Sequence, residues 1–258
     1  MSLVDNLFKE LSEIKEVEAI ALGGSRATGK YDESSDYDVY IYLTDKVDIN
    51  VRKSILEKYC KYMEISNRYW EEEDDVTLND GVDMDIIYRN LDDFNATLKY
   101  VVKEHNQYNS YTTCMWHNLV TSNIIFDRNG RLTALVKEYD IEYPEPLRSN
   151  IINNGIKLLT NHLPSFDKQI FKAETRRDLV SVNHRLAEFL ATYFDVLYAI
   201  NKVKHPGEKR MKEYAIEKCK VLPAKFNEHF ESLFSNVFNN SIKDIVKEMV
   251  EEILKIAK

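Results

Sequence analysis

Leu3, Val4, Leu7, Phe8, Leu11 and Ile14 recur at helical spacing and predict an amphipathic first helix. The period then shortens. Val17 to Leu22 reads as a short strand running into Gly23-Gly24, and Ser25 to Gly29 as the start of a brief helix. Asp36 to Leu43, rich in β-branched and aromatic residues, is a second strand. Val51, Ile55, Leu56, Tyr59, Tyr62 and Met63 fit the next helix, with Asp48 or Asn50 as its cap. Glu71-Glu72-Glu73-Asp74-Asp75 reads as a solvated loop. Asn79-Asp80-Gly81 is a turn signal joining Val76-Thr77-Leu78 to a third strand, Val82 to Arg89. Leu91 opens another helix that runs to about Glu104.

Beyond Tyr143-Pro144-Glu145-Pro146 the pattern is almost wholly helical. Leu179, Val182, Leu186, Phe189, Leu190, Tyr193, Phe194, Leu197 and Ile200 make one long apolar stripe, and Ile242, Ile245, Val246, Met249, Val250, Ile253 and Leu254 make another. The prolines suggest a boundary. The expected fold class is α+β: a mixed sheet with flanking helices over residues 1–145, then an α-helical bundle over 146–258.

Composition narrows the function. The formal net charge is −8, and residues 1–100 hold 12 Lys+Arg against 23 Asp+Glu. An acidic N-terminal half argues against a broad nucleic-acid surface, which needs basic patches. The longest apolar run, Phe189 to Ile200, is interrupted by Thr192 and Asp195 and is too short to span a bilayer, so no membrane partner is expected. No basic segment followed by an apolar run marks the N-terminal end as a leader. Cys60, Cys114 and Cys219 lack zinc-ligand or redox spacing. They read as reduced thiols of a cytoplasmic protein.

The chemistry-bearing stretch is Gly23-Gly24-Ser25-Arg26, followed by Asp36-Tyr37-Asp38. Side chains alternate along a strand, so Asp36 and Asp38 are expected on one face. Two crowded carboxylates repel unless a cation or a shared proton relieves them. A glycine-serine turn opening a helix supplies free backbone N–H groups suited to a phosphate. Together these suit phosphoryl or nucleotidyl transfer. A third carboxylate would complete a two-metal site, and the strand Val82 to Arg89 offers Asp83 and Asp85 on one face. Alternation does not choose between them. Asp85 sits deeper in the apolar run, where a charge needs a partner, and is favoured.

A Gly-Gly-Ser turn, an Asp-x-Asp strand and an Asp on a later strand resemble the nucleotidyltransferase superfamily typified by DNA polymerase β. Val82 to Phe94, Tyr111 to Asn118, Phe126 to Gly130, Ala199-Ile200-Asn201 and His205 to Arg210 also resemble a bacterial family of uncharacterised nucleotidyltransferase-domain proteins. That family is similar in layout to the aminoglycoside and lincosamide nucleotidyltransferases. The resemblance implies that Asp36 and Asp38 bind Mg²⁺, two ions in all, and that Asp85 binds the catalytic metal or orients the attacking hydroxyl. It implies that Gly24 and Ser25 hold the phosphates of ATP or another nucleoside triphosphate.

Other residues are open to two readings. Arg26 reads as a phosphate contact or as a partner of nearby acids. Lys209 and Arg210 follow a Pro-Gly turn, where a cation can reach a triphosphate or merely cap a helix. His117 reads better as a hydrogen-bonded, half-buried side chain than as a chemical group. The acidic run 71–75 is compatible with attraction of a polyamine-like substrate. No general base stands out, although Glu174 and Glu188 are available. The expected activity is Mg²⁺-dependent transfer of a nucleoside monophosphate, AMP from ATP, to a small-molecule hydroxyl such as that of an aminoglycoside-like antibiotic. A nucleotide-sensing or protein-AMPylating module is the alternative, and a homodimer is compatible with the amphipathic helices.

Overall fold

The computed structural model describes residues 2–29, 35–69, 71–237, 239 and 242–257, excluding the side chains of Ser25 and Thr28. The chain divides into two compact units, one of residues 1–99 with 118–141 and the other of 100–117 with 142–258.

The first unit is built on a six-stranded mixed sheet. Helix α1 (Leu3–Glu13) leads to β1 (Val17–Leu22), the short α2 (Gly24–Thr28) and β2 (Tyr37–Leu43). Then come α3 (Ile49–Leu56), β3 (Cys60–Asn67), β4 (Glu72–Leu78), β5 (Asp83–Asn90) and α4 (Leu91–Leu98), which continues into a π-helical turn, Lys99–Lys103. After α5 (Cys114–Thr121) the chain adds β6 (Asn123–Asp127) and α6 (Arg131–Tyr139). The strand order is β3-β4-β5-β2-β1-β6. Only β2 and β5 pair in parallel among the described strands.

Alternation sorts the two faces of the sheet. Val39 and Ile41 of β2 and Met84 and Ile86 of β5 are fully buried with Leu7, Leu11 and Leu56 from α1 and α3. Each such aliphatic side chain contributes roughly 1.5–3 kcal/mol. Their neighbours Asp38, Tyr40 and Tyr42, and Asp85, Ile87 and Arg89, take the other face. Ser2 caps α1 reciprocally with Asp5, and Asp48 caps α3 through the Asn50 N–H.

Two expectations are corrected. The helix from Val51 ends at Leu56, and Tyr59 to Met63 belong to a turn and to the edge strand β3. There the relevant period is two: Met63 and Ile65 lie against the core, while Tyr62 is exposed. The acidic run 71–75 is not a loop, because Glu72 to Asp75 form the first half of β4. Asp74 can be fully buried there because the equally buried Arg52 stands 3.6 Å away and the Ser66 N–H donates to it at 2.8 Å. The edge strand β6 had no clear sequence signal. Asp127 at its end accepts from the Thr133 N–H and hydroxyl at 2.7 Å, and Arg128 donates to the carbonyls of Ser12, Ile14 and Val17.

The second unit packs α7 (Glu145–Leu159), α8 (Phe166–Thr175), α9 (Leu179–Ile200), α10 (Met211–Lys218), α11 (Phe226–Asn236) and α12 (Lys243–Ile256). Helix α9 is the axis: Phe189, Tyr193, Phe194 and Leu197 meet Phe226, Phe230, Val246, Met249 and Ile253. Gly155 lets α7 approach closely, since a Cβ there would lie 2.2 Å from Val196 Cγ2. Segment 100–117 joins this unit through specific bonds. Thr112 donates to buried Asp195, Thr192 to the Asn109 carbonyl, and the His205 N–H to Thr113. The chain therefore crosses between units at 99/100, 117/118 and 141/142, where composition alone had suggested one boundary after residue 145. None of the described helices is long and apolar enough to cross a membrane.

Candidate active site

The parallel register sets Asp38 opposite Asp85. In-register residues on neighbouring strands project from the same face, with the strands ~4.8 Å apart. Both carboxylates are half-buried. Asp83 is exposed, accepts a hydrogen bond from Thr77 Oγ1 at 2.8 Å and lies outside the β2 register. Of the two aspartates that alternation left open, Asp85 is thus the neighbour of Asp38.

The glycine turn closes onto the same place. The Gly23 N–H donates to the Asp38 carbonyl at 2.7 Å. Gly24 has φ +60°, and a Cβ on it would lie 1.8 Å from Asp38 Oδ2. A Cβ on Gly23 would lie 2.5 Å from the Tyr40 ring. Both glycines are required by close approach, and Gly24 also by its backbone conformation.

Asp36 departs from the simple expectation. Strand β2 begins at Tyr37, so Asp36 precedes it and alternation does not carry it to the Asp38 face. Among the described residues, no three His, Cys, Asp or Glu side chains are grouped to hold a metal ion. Asp38 and Asp85 are the two candidate carboxylates that the strand register sets side by side. That pair still fits Mg²⁺, which is commonly held by one or two carboxylates, with substrate phosphates and water completing the shell.

Residues 4–109 match the family model described as the nucleotidyltransferase domain. This segment is a nucleotidyltransferase domain. It contains the glycine turn and all three aspartates. No curated protein matches the chain. Among solved structures, a nucleotidyltransferase-like protein from Exiguobacterium sibiricum 255-15 is 12% identical over 99% of this chain and 73% of its own, with a TM-score of 0.44. An aminoglycoside 6-adenyltransferase from Bacillus subtilis is 12% identical over 99% and 87%, with a TM-score of 0.32. The Thermotoga maritima CCA-adding enzyme, complexed with tRNA, is 11% identical over 99% and 80%, with a TM-score of 0.27.

Within the nucleotidyltransferase domain, Gly24 and Ser25 open α2 beside Asp38, and the Ser25 side chain lies outside the described residues. Arg26 is engaged by its own chain: Nε lies 3.0 Å from the carbonyls of both Ser35 and Asp36, and Nη2 2.6 Å from that of Ser35.

Sequence reasoning took the acids now on β4 for a loop that could attract a polyamine-like substrate, and passed over Glu64 on β3. Asp75 pairs with Asp85 in the antiparallel register, and Glu64 pairs with Asp75. A row of carboxylates therefore crosses four strands on one face: Glu64, Asp75, Asp85, Asp38. Glu73 stands two residues from Asp75. Burial, with the charges of Asp75, Asp85 and Glu71, holds its carboxyl above the usual range. Asn67 Nδ2 donates to Asp75 and to Glu64, and the Tyr62 hydroxyl donates to Glu64 at 2.6 Å. The signal was present in Asp74, Val76 and Leu78, which alternate with the acids and are buried.

In the second unit, Lys209 is exposed in the turn before α10. Glu174 caps α12 by accepting from the Ile242 N–H at 2.7 Å, and Glu188 is exposed. His117 faces Tyr214 edge-on, and burial with nearby Lys204 lowers its pKa to about 4.

Proposed function

We propose that the chain moves a nucleoside monophosphate, AMP from ATP in the first instance, onto a hydroxyl of a small cationic molecule. The oxygen–α-phosphorus bond forms, the bond to pyrophosphate breaks, and the hydroxyl proton passes to water. The observation that carries this reading is the Asp38–Asp85 pair seated against the Gly23-Gly24 turn inside a nucleotidyltransferase domain.

Asp38 and Asp85 would hold Mg²⁺, which supplies charge neutralisation on the phosphate oxygens and lowers the pKa of a bound hydroxyl. The turn at Gly24 and Ser25 presents backbone N–H groups to the triphosphate. The row Glu64, Asp75 and Glu73 beside Asp85 favours an acceptor with several amines, as in an amino sugar, because such a ligand relieves the repulsion between these carboxylates.

The test is transfer of α-labelled ATP, with pyrophosphate release, across a panel of amino sugars and polyamino alcohols in Mg²⁺. Label on an acceptor in the wild type and none in Asp38→Asn or Asp85→Asn supports the reading. Nucleotide binding by calorimetry with no pyrophosphate release would make the chain a sensing module, and label on lysate proteins alone would make it a protein AMPylator.

A further inference from the structure

We infer that Arg26 is a positioning residue and not a phosphate ligand: its guanidinium fixes the backbone entering β2 and so seats Asp38 at the glycine turn. The inference rests on the reading of Asp38 and Asp85 as the reacting centre.

The engaged edge decides the matter. A guanidinium grips an oxyanion bidentately through a pair of parallel N–H groups. In Arg26 the Nε–Nη2 pair is directed at two consecutive carbonyls, those of Ser35 and Asp36. The flat face of the group is covered as well, since Cζ stands 3.8 Å from the centroid of the Tyr37 ring. Arg26 is half-buried.

The residues it holds are the three that precede Asp38. Immediately beyond them, the Asp38 carbonyl accepts from the Gly23 N–H at 2.7 Å. The segment Gly23 to Arg26 is thus tied to the start of β2 at two places, one before Asp38 and one at it. Between these ties the carboxylate is set over Gly24, with no room for a Cβ. A site that must present a carboxylate and a phosphate-binding turn together needs that kind of fixed shell. The planar fork fixes direction as well as distance, which one ammonium spanning the same two carbonyls does not.

The experiment compares wild type, Arg26→Gln, Arg26→Lys and Asp38→Asn. Three measurements are made: affinity for Mn²⁺ alone by electron paramagnetic resonance, affinity for ATP in chelator by calorimetry, and amide exchange at residues 36–38 by mass spectrometry. Arg26→Gln is expected to weaken Mn²⁺ binding tenfold or more and to speed exchange at 36–38. Its melting temperature and metal-free ATP affinity stay near those of the wild type. Arg26→Lys keeps the charge and is expected to lose about threefold in Mn²⁺ affinity; it carries the comparison if Arg26→Gln does not fold. Unchanged Mn²⁺ affinity or unchanged exchange in the folded variants overturns the inference, and a selective loss of ATP affinity makes Arg26 a phosphate ligand. Absence of Mn²⁺ binding in the wild type, with normal exchange protection at 36–38, overturns the parent reading and this one with it.

Discussion

Asp38 Oδ2 occupies the space that a Cβ on Gly24 would need, at 1.8 Å. One methyl group therefore tests the junction between turn and carboxylate. Gly24→Ala adds a clash with Asp38 to the strain of φ +60°, itself about 1–2 kcal/mol. Gly29 is the control: its φ is +71°, but nothing lies within 4 Å of a Cβ placed there. Both alanine variants are expected to melt a few degrees lower. Only Gly24→Ala is expected to lose nucleotidyl transfer, by about a hundredfold, the scale of an ångström's misplacement. Equal transfer by the two variants would detach the turn from the chemistry.

Asp85 stands between like charges, with Asp38 and Asp75 opposite it on its two neighbouring strands. Like charges directly opposite in a sheet are destabilising by roughly 0.2–1 kcal/mol. Asp85→Asn is expected to abolish transfer while the melting temperature stays within a few degrees of the wild type's, read by a thermal melt beside the labelled-ATP assay. Transfer retained by the folded variant would remove Asp85 from the reacting centre.

Local pattern carried much of this arrangement. The glycine turn, the second and fifth strands and the long helix α9 follow from residue type and period, as does the preference for Asp85 over Asp83. What it did not carry depends on pairing. Asp36 falls outside β2 because the parallel register begins at Tyr37 and Met84, which no local rule announces. Asp75 and Glu73 looked like loop acids because burial of Asp74 needs Arg52, twenty-two residues earlier, to be on the same face. Segment 100–117 joins the helical unit because Thr112 finds Asp195, a contact across 83 residues.

Asp195 gives stability a pH dependence of definite sign. Burial pushes its pKa up to about 7, against the pull of the hydrogen bonds from the Thr112 N–H and hydroxyl. An unfolded aspartate titrates near ~3.9. The native state therefore holds more protons than the unfolded chain between these values. The stability from this group is full below pH ~4 and is lost as pH rises through about 7. His117 and His205 work at the other edge. Burial lowers their pKa values to about 4 and about 3, so their contribution is present above the unfolded value of ~6.5 and is lost as pH falls through the native ones. Melting curves from pH 5 to 8 should show Asp195→Asn losing stability with rising pH less steeply than the wild type. The same slope in both would mean that Asp195 is ionised in the native state throughout.

The carboxylate row gives a calorimetric signature for the acceptor. Glu73 is held above the ordinary range by burial and by Asp75, Asp85 and Glu71. A cation placed among these groups favours the ionised form, so its binding must expel protons wherever Glu73 is partly protonated beforehand. Spermidine serves as the probe until an acceptor is found. Titrations in two buffers of different ionisation enthalpy should report proton release in the wild type and less of it in Glu73→Gln. Asp75→Asn should weaken binding by about two- to fivefold, the scale of a partly exposed ion pair. Higher salt should weaken the wild type more than the variant. Proton uptake on binding, or affinity indifferent to both substitutions, would remove the cationic acceptor while leaving Asp38, Asp85 and the glycine turn to a neutral one.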